Sequence, residues 1–355
     1  NAMGGDNFWL IPNNGKVMAI DACGASAAAA NPKYYFDRGL DEIPARGPLA
    51  AVTVAGAPSG WQAALEISFT YGGRFSLSRL FEDAIHFARN GIPVAATLHR
   101  NASDKFSELR KIHGFADVFL PEGAPLNKGA NFKIPALAET LDNLAANGLD
   151  DFYRGQLARR IAADLSDAGS PIVLADLERH HAKLVTPLSL KLSQGTVYNL
   201  PPPTQGLASL IILGLIDRLD CKTADSVAHV HAIIEATKKA FRIRDRYIAD
   251  PEFMTMDPKD FLKEDALDRM ATDIDSQHAA PWPVSADSGD TVWLGAADRN
   301  GCVVSMIQSI YWEFGSGVVL PETGIVWQNR GSSFSLDEKH HNCLKPHRRP
   351  FHTIQ

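Results

Sequence analysis

Thr291 sits where the chain changes texture, directly after Gly289-Asp290. A hydroxyl is a poor nucleophile at neutral pH unless a base lies beside it. A threonine at a newly made N-terminus supplies its own base. Its free α-amine, with an unperturbed pKa of roughly 7.7–8, can accept the hydroxyl proton. Making that amine requires the Asp290–Thr291 bond to break. The Thr291 hydroxyl can do this by attacking the Asp290 carbonyl, giving an ester that water then hydrolyses. The competing reading is structural, because β-branched side chains suit pleated sheets and threonine is common where strands begin. The residues alone leave both readings open.

Other residues capable of chemistry point nowhere specific. Cys23, Cys221, Cys302 and Cys343 are scattered with no CxxC pair, so neither a zinc site nor a redox pair is signalled and free core thiols are expected. His340, His341, His347 and His352 gather near Cys343, but their spacing fits no common zinc pattern and a solvated tail is expected. His180-His181 is placed on a helix, facing solvent. Gly72-Gly73 and Gly315-Ser316-Gly317 are turn glycines without a P-loop lysine, which argues against nucleotide binding. No metal or organic cofactor is expected.

The elements that must position Thr291 follow from periodicity. Phe8 to Ile11 and Lys16 to Ala22, split by Asn13-Asn14-Gly15, predict a hairpin. Helical spacing predicts helices over 59–70, 77–90, 134–147, 151–167, 205–219 and 223–247, with a weaker one near 259–274. A strand is expected over 195–200, ending at Pro201-Pro202-Pro203. Residues 277–289 predict an exposed loop. From Thr291 onward, 291–297 and 302–310 flank Asp298-Arg299-Asn300-Gly301, a strong hairpin signal. Hairpin, many helices, then antiparallel strands argue for an α+β fold rather than a doubly wound parallel sheet.

Bulk properties exclude some classes. The 355 residues carry a net charge of −6, are 45% hydrophobic and 21% charged, and allow one large or two medium cores. A nucleic-acid partner normally calls for a basic face, which this balance does not favour. The longest apolar run, Leu207 to Ile216, is about half the length that spans a bilayer, so a buried helix is expected and a membrane span is not. No signal peptide is visible. The opening Asn1-Ala2-Met3 reads as the scar of a cleaved tag, so the compartment stays open.

Several segments in order resemble the gamma-glutamyltranspeptidase family of N-terminal-nucleophile hydrolases. They are Gly4-Gly5-Asp6-Asn7-Phe8, Pro201-Pro202-Pro203-Thr204-Gln205-Gly206, Glu235 to Phe241 with Arg244-Asp245-Arg246-Tyr247 and Asp250-Pro251, and Gly289-Asp290-Thr291. Phe314-Gly315-Ser316-Gly317, Gly324-Ile325, Gln328-Asn329-Arg330-Gly331 and Phe334-Ser335 complete the set. The resemblance implies a four-layer αββα sandwich. It also implies cleavage between Asp290 and Thr291 into a helix-rich region, 4–290, and a strand-rich region, 291–355. The two would stay paired as one intertwined domain. Thr291 would be the nucleophile, and Ser309, eighteen residues on, would orient it through a hydroxyl hydrogen bond. Substrates would be an acyl amide, gamma-glutamyl-like in class, with water or an amine as acceptor. Association into homo-oligomers is left open.

The sequence also departs from the family pattern. The arginine that holds the glutamyl carboxylate is aligned with Cys23, which cannot do that job. Tyr311 replaces an asparagine, Ser333 the aspartate that grips the substrate amine, and Arg330 a neutral glutamine. His352 and Thr353 stand where the family has paired serines. Gamma-glutamyl recognition is therefore expected to be weakened, and Arg330 could meet an anionic group on another donor. Its alternative is a solvated or sheet-edge charge. The family's oxyanion Gly-Gly pair does not follow Pro350, and its opening helical region is not seen. Either the chain is truncated or another chain supplies them. Two further readings remain: an acylase for non-glutamyl side-chain amides, and a non-catalytic, unprocessed scaffold.

Overall fold

The computed structural model describes residues 3–13, 15–219, 223–282 and 291–354. Asp290, Cys221, Asn14 and the loop from residue 283 lie outside the described residues. The strands are β1 (Asp6–Asn13), β2 (Lys16–Ala22), β3 (Lys183–Val185), β4 (Leu188–Leu192), β5 (Gly195–Asn199), β6 (Val292–Ala297) and β7 (Val303–Ser309). The main helices are α1 (Ala57–Thr70), α2 (Leu77–Asn90), α3 (Pro135–Asn147), α4 (Gln156–Ala168), α5 (Gly206–Arg218), α6 (Val227–Tyr247) and α7 (Glu264–Thr272). The mixture is α+β, as the sequence predicts.

One five-stranded antiparallel sheet carries the site, in the order β3-β2-β1-β7-β6. β7 thus inserts between β1 and β6 and ties the start of the chain to its last third. Register pairs Asp6 with Ser309, Phe8 with both Ile307 and Asp21, and Trp293 with Ile307. Side chains alternate along a strand, so Asp6, Phe8, Asp21, Ile307 and Ser309 share one face. The other face takes α1. Gly60 lets the helix approach, since a Cβ there would meet Asn7 Oδ1 at 1.9 Å. The Trp61 indole N–H donates to Gln308 Oε1 at 2.9 Å, stitching α1 to β7.

Two apolar cores flank this sheet. Leu144 of α3, Leu157, Ile161 and Leu165 of α4, Phe152, Tyr153 and Trp327 form the larger. In the second, Leu207, Leu210, Ile211 and Leu215 of α5 pack with Ala236 and Ala240 of α6 and with Leu188 and Leu190 of the β4–β5 hairpin. This absorbs the Leu207–Ile216 run as a buried helix. No helix among the described residues is long and apolar enough to cross a membrane.

Several boundaries differ from expectation for local reasons. The helix over 151–167 is broken at Gly155, because the Asp151 carboxylate accepts from Gln156 N at 3.0 Å and Leu157 N at 3.2 Å and starts a new helix there. The helix at 259–274 divides into a 3-10 turn, Pro258–Leu262, and α7. Residues 96–119, unassigned from sequence, form three short helices, Ala96–Asp104, Phe106–Leu109 and Phe115–Phe119. His180 is neither helical nor solvated: it follows the helix Leu174–Arg179 and is buried against the Tyr153 ring. The expected solvated tail holds at His340 and His347, which are exposed, but not along the rest of the segment. Cys343, Leu344, Arg348, Arg349 and His352 are buried, threaded back through the interior.

Candidate active site

The β6–β7 turn sets the site's register. Asp298 Oδ1 accepts from Asn300 N at 2.8 Å and Cys302 N at 2.9 Å, and Gly301 adopts a left-handed φ of 85°. That pairing puts Val292 opposite Gln308 and leaves Thr291, one residue earlier, on the face of Ser309. The Thr291 hydroxyl donates to Ser309 Oγ at 3.2 Å. Thr291 is exposed while Ser309 is buried, so the nucleophile candidate is reachable and its partner is fixed.

A contact chain runs on from there. Ser309 Oγ accepts from Tyr311 N at 2.9 Å. Tyr311 holds a φ of 82°, uncommon for an aromatic residue and maintained by its neighbours. Asn329 is the brace: its Oδ1 accepts from Trp312 N at 3.2 Å, its backbone N donates to Ile310 O at 3.3 Å, and its Nδ2 donates to Ala45 O at 2.9 Å. This turn lays the Tyr311 ring over the Arg330 guanidinium, 3.7 Å from centroid to carbon. Arg330 Nη1 donates to the Thr353 hydroxyl at 3.3 Å. The structure therefore joins Thr291, Ser309, Tyr311, Arg330 and Thr353, five of the residues singled out from sequence, into one line of contacts.

Arg330 is only 1% exposed, which rules out the solvated or edge reading. Its Nε has no partner, and no carboxylate among the described residues forms an ion pair with it. Burial lowers its pKa to about 10, with Tyr311, Asp6 and Cys23 acting the other way, so it is still a cation at neutral pH. A buried guanidinium with an unpaired Nε is suited to a carboxylate.

Two residues depart from their expected roles. Ser333 Oγ donates to Phe351 O at 3.1 Å and ties the returning chain rather than lining Arg330. His352, expected to touch substrate, is buried and turned inward, its Nε2–H donating to Asp6 Oδ2 at 2.9 Å. The imidazole is 0% exposed, with the Phe8 ring edge against it and its Nδ1 without a hydrogen-bond partner among the described residues. Its backbone N donates to Pro203 O at 2.8 Å, linking it to the triproline turn.

Asp6 is the residue sequence reasoning passed over, quoted only as part of a Gly-rich motif. Its Oδ1 accepts from Gly24 N and Gly56 N, both at 3.0 Å, and from Gln328 Nε2 at 3.2 Å. Burial pushes its pKa up to about 6 against the pull of those two amides, and burial holds His352 well below the usual histidine range. The only signal available was an acid at the start of a strand, on the face that Phe8 shares. Arg349, also buried, bridges Asp21 Oδ2 at 2.7 Å and Asp250 Oδ1 at 2.8 Å.

Ligating atoms of Asp6, Cys23 and His352 lie within 4.8 Å of one another. Both Asp6 oxygens are already engaged by donors, and burial raises the Cys23 thiol well above its usual range, keeping it protonated. Asp6 and His352 are hydrogen-bonded to each other, while the Cys23 thiol donates to Gly24 O at 3.6 Å. Cys23 and Cys343 are buried free thiols, and Cys302 is half-buried.

Comparison with known proteins follows the same lines. A family model described as gamma-glutamyltranspeptidase matches residues 1–355. An oxamate amidohydrolase proenzyme from Klebsiella pneumoniae is 50% identical, over 100% of this chain and 67% of that protein. A glutathione hydrolase-like proenzyme from Bacillus subtilis is 35% identical, over 99% and 66%. The crystal structure of a cephalosporin acylase from Bacillus halodurans superposes with a TM-score of 0.91 at 33% identity, covering 100% of this chain and 66% of that one. The chain thus spans about two thirds of the length of these relatives.

Proposed function

The chain belongs to the gamma-glutamyltranspeptidase family of amide hydrolases and acyltransferases, and from that premise we propose that it is an autoprocessing amidohydrolase for small anionic amides with Thr291 as nucleophile. Cleavage before Thr291 frees its amine. The amine takes the hydroxyl proton, the oxygen attacks the donor carbonyl, and the C–N bond breaks as the proton passes to the leaving nitrogen. Water then hydrolyses the acyl ester. Ser309 orients the Thr291 hydroxyl. The fragments 4–290 and 291–355 stay together because β7 pairs with β1.

The observation that carries the specificity is Arg330: buried, cationic, stacked on Tyr311 and without an ion partner among the described residues. A donor carboxylate completes it. With Cys23 in place of the clamp arginine, a carboxylate near the reacting carbonyl suits this site better than a distant glutamyl one. A relative named for oxamate, whose carboxylate adjoins its amide carbonyl, is consistent with that class. The second reading, an acylase for larger side-chain amides, is favoured by the superposition on the cephalosporin acylase.

Intact-mass measurement of the purified protein tests processing, with two fragments dividing at Thr291 expected and a single uncut chain expected for Thr291→Ala. Steady-state kinetics then compare oxamate, a gamma-glutamyl anilide and an uncharged acyl amide. Preference for oxamate, lost on Arg330→Gln through a higher KM, is the expected result. Equal turnover of all three, or an unaltered KM in Arg330→Gln, overturns the anionic-donor reading.

A further inference from the structure

Asp6, a buried acid whose charge acts on Arg330, forms no ion pair with it. Asp6 and Arg330 are both buried, and adjacent residues of one segment hold them: His352 Nε2 meets Asp6 Oδ2 at 2.9 Å and the Thr353 hydroxyl meets Arg330 Nη1 at 3.3 Å. In a medium of low polarity such a pair should collapse into an ion pair. It does not, because each Asp6 oxygen is held elsewhere. Oδ1 has three donors, Gly24 N, Gly56 N and Gln328 Nε2. Oδ2 has His352 Nε2 at 2.9 Å. The His352 ring is fixed in turn by the edge of Phe8, 5.0 Å between centroids, and by its backbone bond to Pro203.

The other end of the same short segment faces Arg330. Thr353, next to His352, supplies the hydroxyl that meets the guanidinium. One dipeptide therefore occupies Asp6 with its first residue and orients Arg330 with its second. We propose that His352 is a specificity-determining positioning residue: by engaging Asp6 Oδ2 it keeps that carboxylate from neutralising Arg330, so that the guanidinium remains open to the carboxylate of the acyl donor. The inference rests on the reading of Arg330 as the donor's partner. It adds that an internal competitor for Arg330 exists and is held off by His352.

The arrangement has a rescue built into it. Removing the imidazole frees Asp6 Oδ2 to seek the nearest cation, so His352→Leu raises the KM for oxamate roughly 10- to 100-fold, the scale of one lost contact to a charged group. The kcat, set by Thr291, changes little. Turnover of an uncharged acyl amide changes little as well. Asp6→Asn introduced into that variant removes the competitor and brings the KM back toward the wild-type value. A histidine that served only to fill space would give a defect that the second substitution deepens, not one that it cures.

The experiment is steady-state kinetics of the processed protein with oxamate and an uncharged acyl amide, on wild type, His352→Leu, Asp6→Asn, the double variant and Arg330→Gln. Thermal melting of each verifies the fold, and His352→Phe, which keeps a ring against Phe8 but no donor, serves where His352→Leu does not fold. A raised oxamate KM in the single His352 variant that the double variant reverses supports the proposal. An unchanged oxamate KM in a folded His352 variant, or a double variant no better than the single one, overturns it. An Arg330→Gln protein that binds oxamate as wild type does removes the underlying donor reading instead.

Discussion

The Thr291 hydroxyl donates to Ser309 Oγ across 3.2 Å, from an exposed strand start to a buried strand end. Ser309 has its own anchor in the Tyr311 amide, so it presents a lone pair in a set direction. Losing that oxygen leaves the Thr291 hydroxyl in place but free to rotate. Ser309→Ala is expected to lower kcat by about 10- to 100-fold, the cost of small misplacements of a reacting group. It should slow self-cleavage similarly and leave KM nearly unchanged. Ser309→Thr should keep most of both. Fragment appearance on denaturing gels and steady-state kinetics measure the two effects, and full activity of Ser309→Ala would remove the orienting role.

How far the sequence reaches is visible in this same pair. Two apolar runs around Asp298-Arg299-Asn300-Gly301 make the hairpin legible locally, whereas the pairing of Thr291 with Ser309 was implied by the family resemblance. The helix expected over 151–167 is divided at Gly155, whereas helices α1, α2, α3, α5 and α6 are legible to within a few residues. Asp6 and His352 were not, because they meet across 346 positions of chain and neither belongs to a local pattern. Arg330 could be named but not located. Whether an arginine is buried depends on Tyr311 folding over it, and that depends on a left-handed turn braced by Asn329 from another segment.

The two backbone amides on Asp6 come from glycines for a steric reason. A Cβ on Gly24 would lie 1.6 Å from Val54 O, and one on Gly56 would lie 1.9 Å from Ala22 O. Both obstacles are backbone, so neither can swing aside. Gly24→Ala and Gly56→Ala are each expected to cost about 3 kcal/mol or more, the upper range for overpacking. They should also shift the segments that bind Asp6 Oδ1. Urea denaturation gives the loss directly. A variant of either kind with wild-type stability would mean that the strands separate more easily than this packing allows.

Arg349 neutralises two buried carboxylates at once, Asp21 and Asp250, and its own backbone N donates to Asp250 Oδ2 at 2.9 Å. Replacing it with methionine keeps most of the volume but leaves both acids buried without their cation. Breaking one partner of a buried pair costs about 3–5 kcal/mol, and two acids share this one. The loss should depend on pH. Burial already raises the Asp21 carboxyl and Arg349 pulls it down, so without Arg349 its proton affinity in the folded state climbs further, and the variant gains relative stability in acid and loses it as pH rises. The gap between wild type and Arg349→Met should therefore be widest near pH 7–8 and narrower near pH 5 in urea titrations. A gap independent of pH would assign the loss to packing alone.

His180 offers the opposite sign. It is buried against Tyr153, whose hydroxyl donates to Ala55 O at 2.8 Å, and its Nε2 has no partner among the described residues. Burial lowers its pKa to about 4, although Asp6 pulls the other way. In the unfolded chain a histidine takes up its proton near pH 6.5. Between these two values the unfolded state binds the proton and the folded state does not, so stability is present above pH 6.5 and drains away as pH falls toward 4. Asp6, raised to about 6, works against this, because its folded form favours the proton over the same window. The difference between wild type and His180→Phe separates the two, since Asp6 is common to both. A phenylalanine keeps a ring on Tyr153 and cannot titrate. Its melting temperature should fall less than the wild-type value between pH 7 and pH 4.5, with the curves converging in acid. Parallel curves would show that His180 gains a proton in the folded state as readily as in the unfolded one, and that its site is wetter than its burial implies.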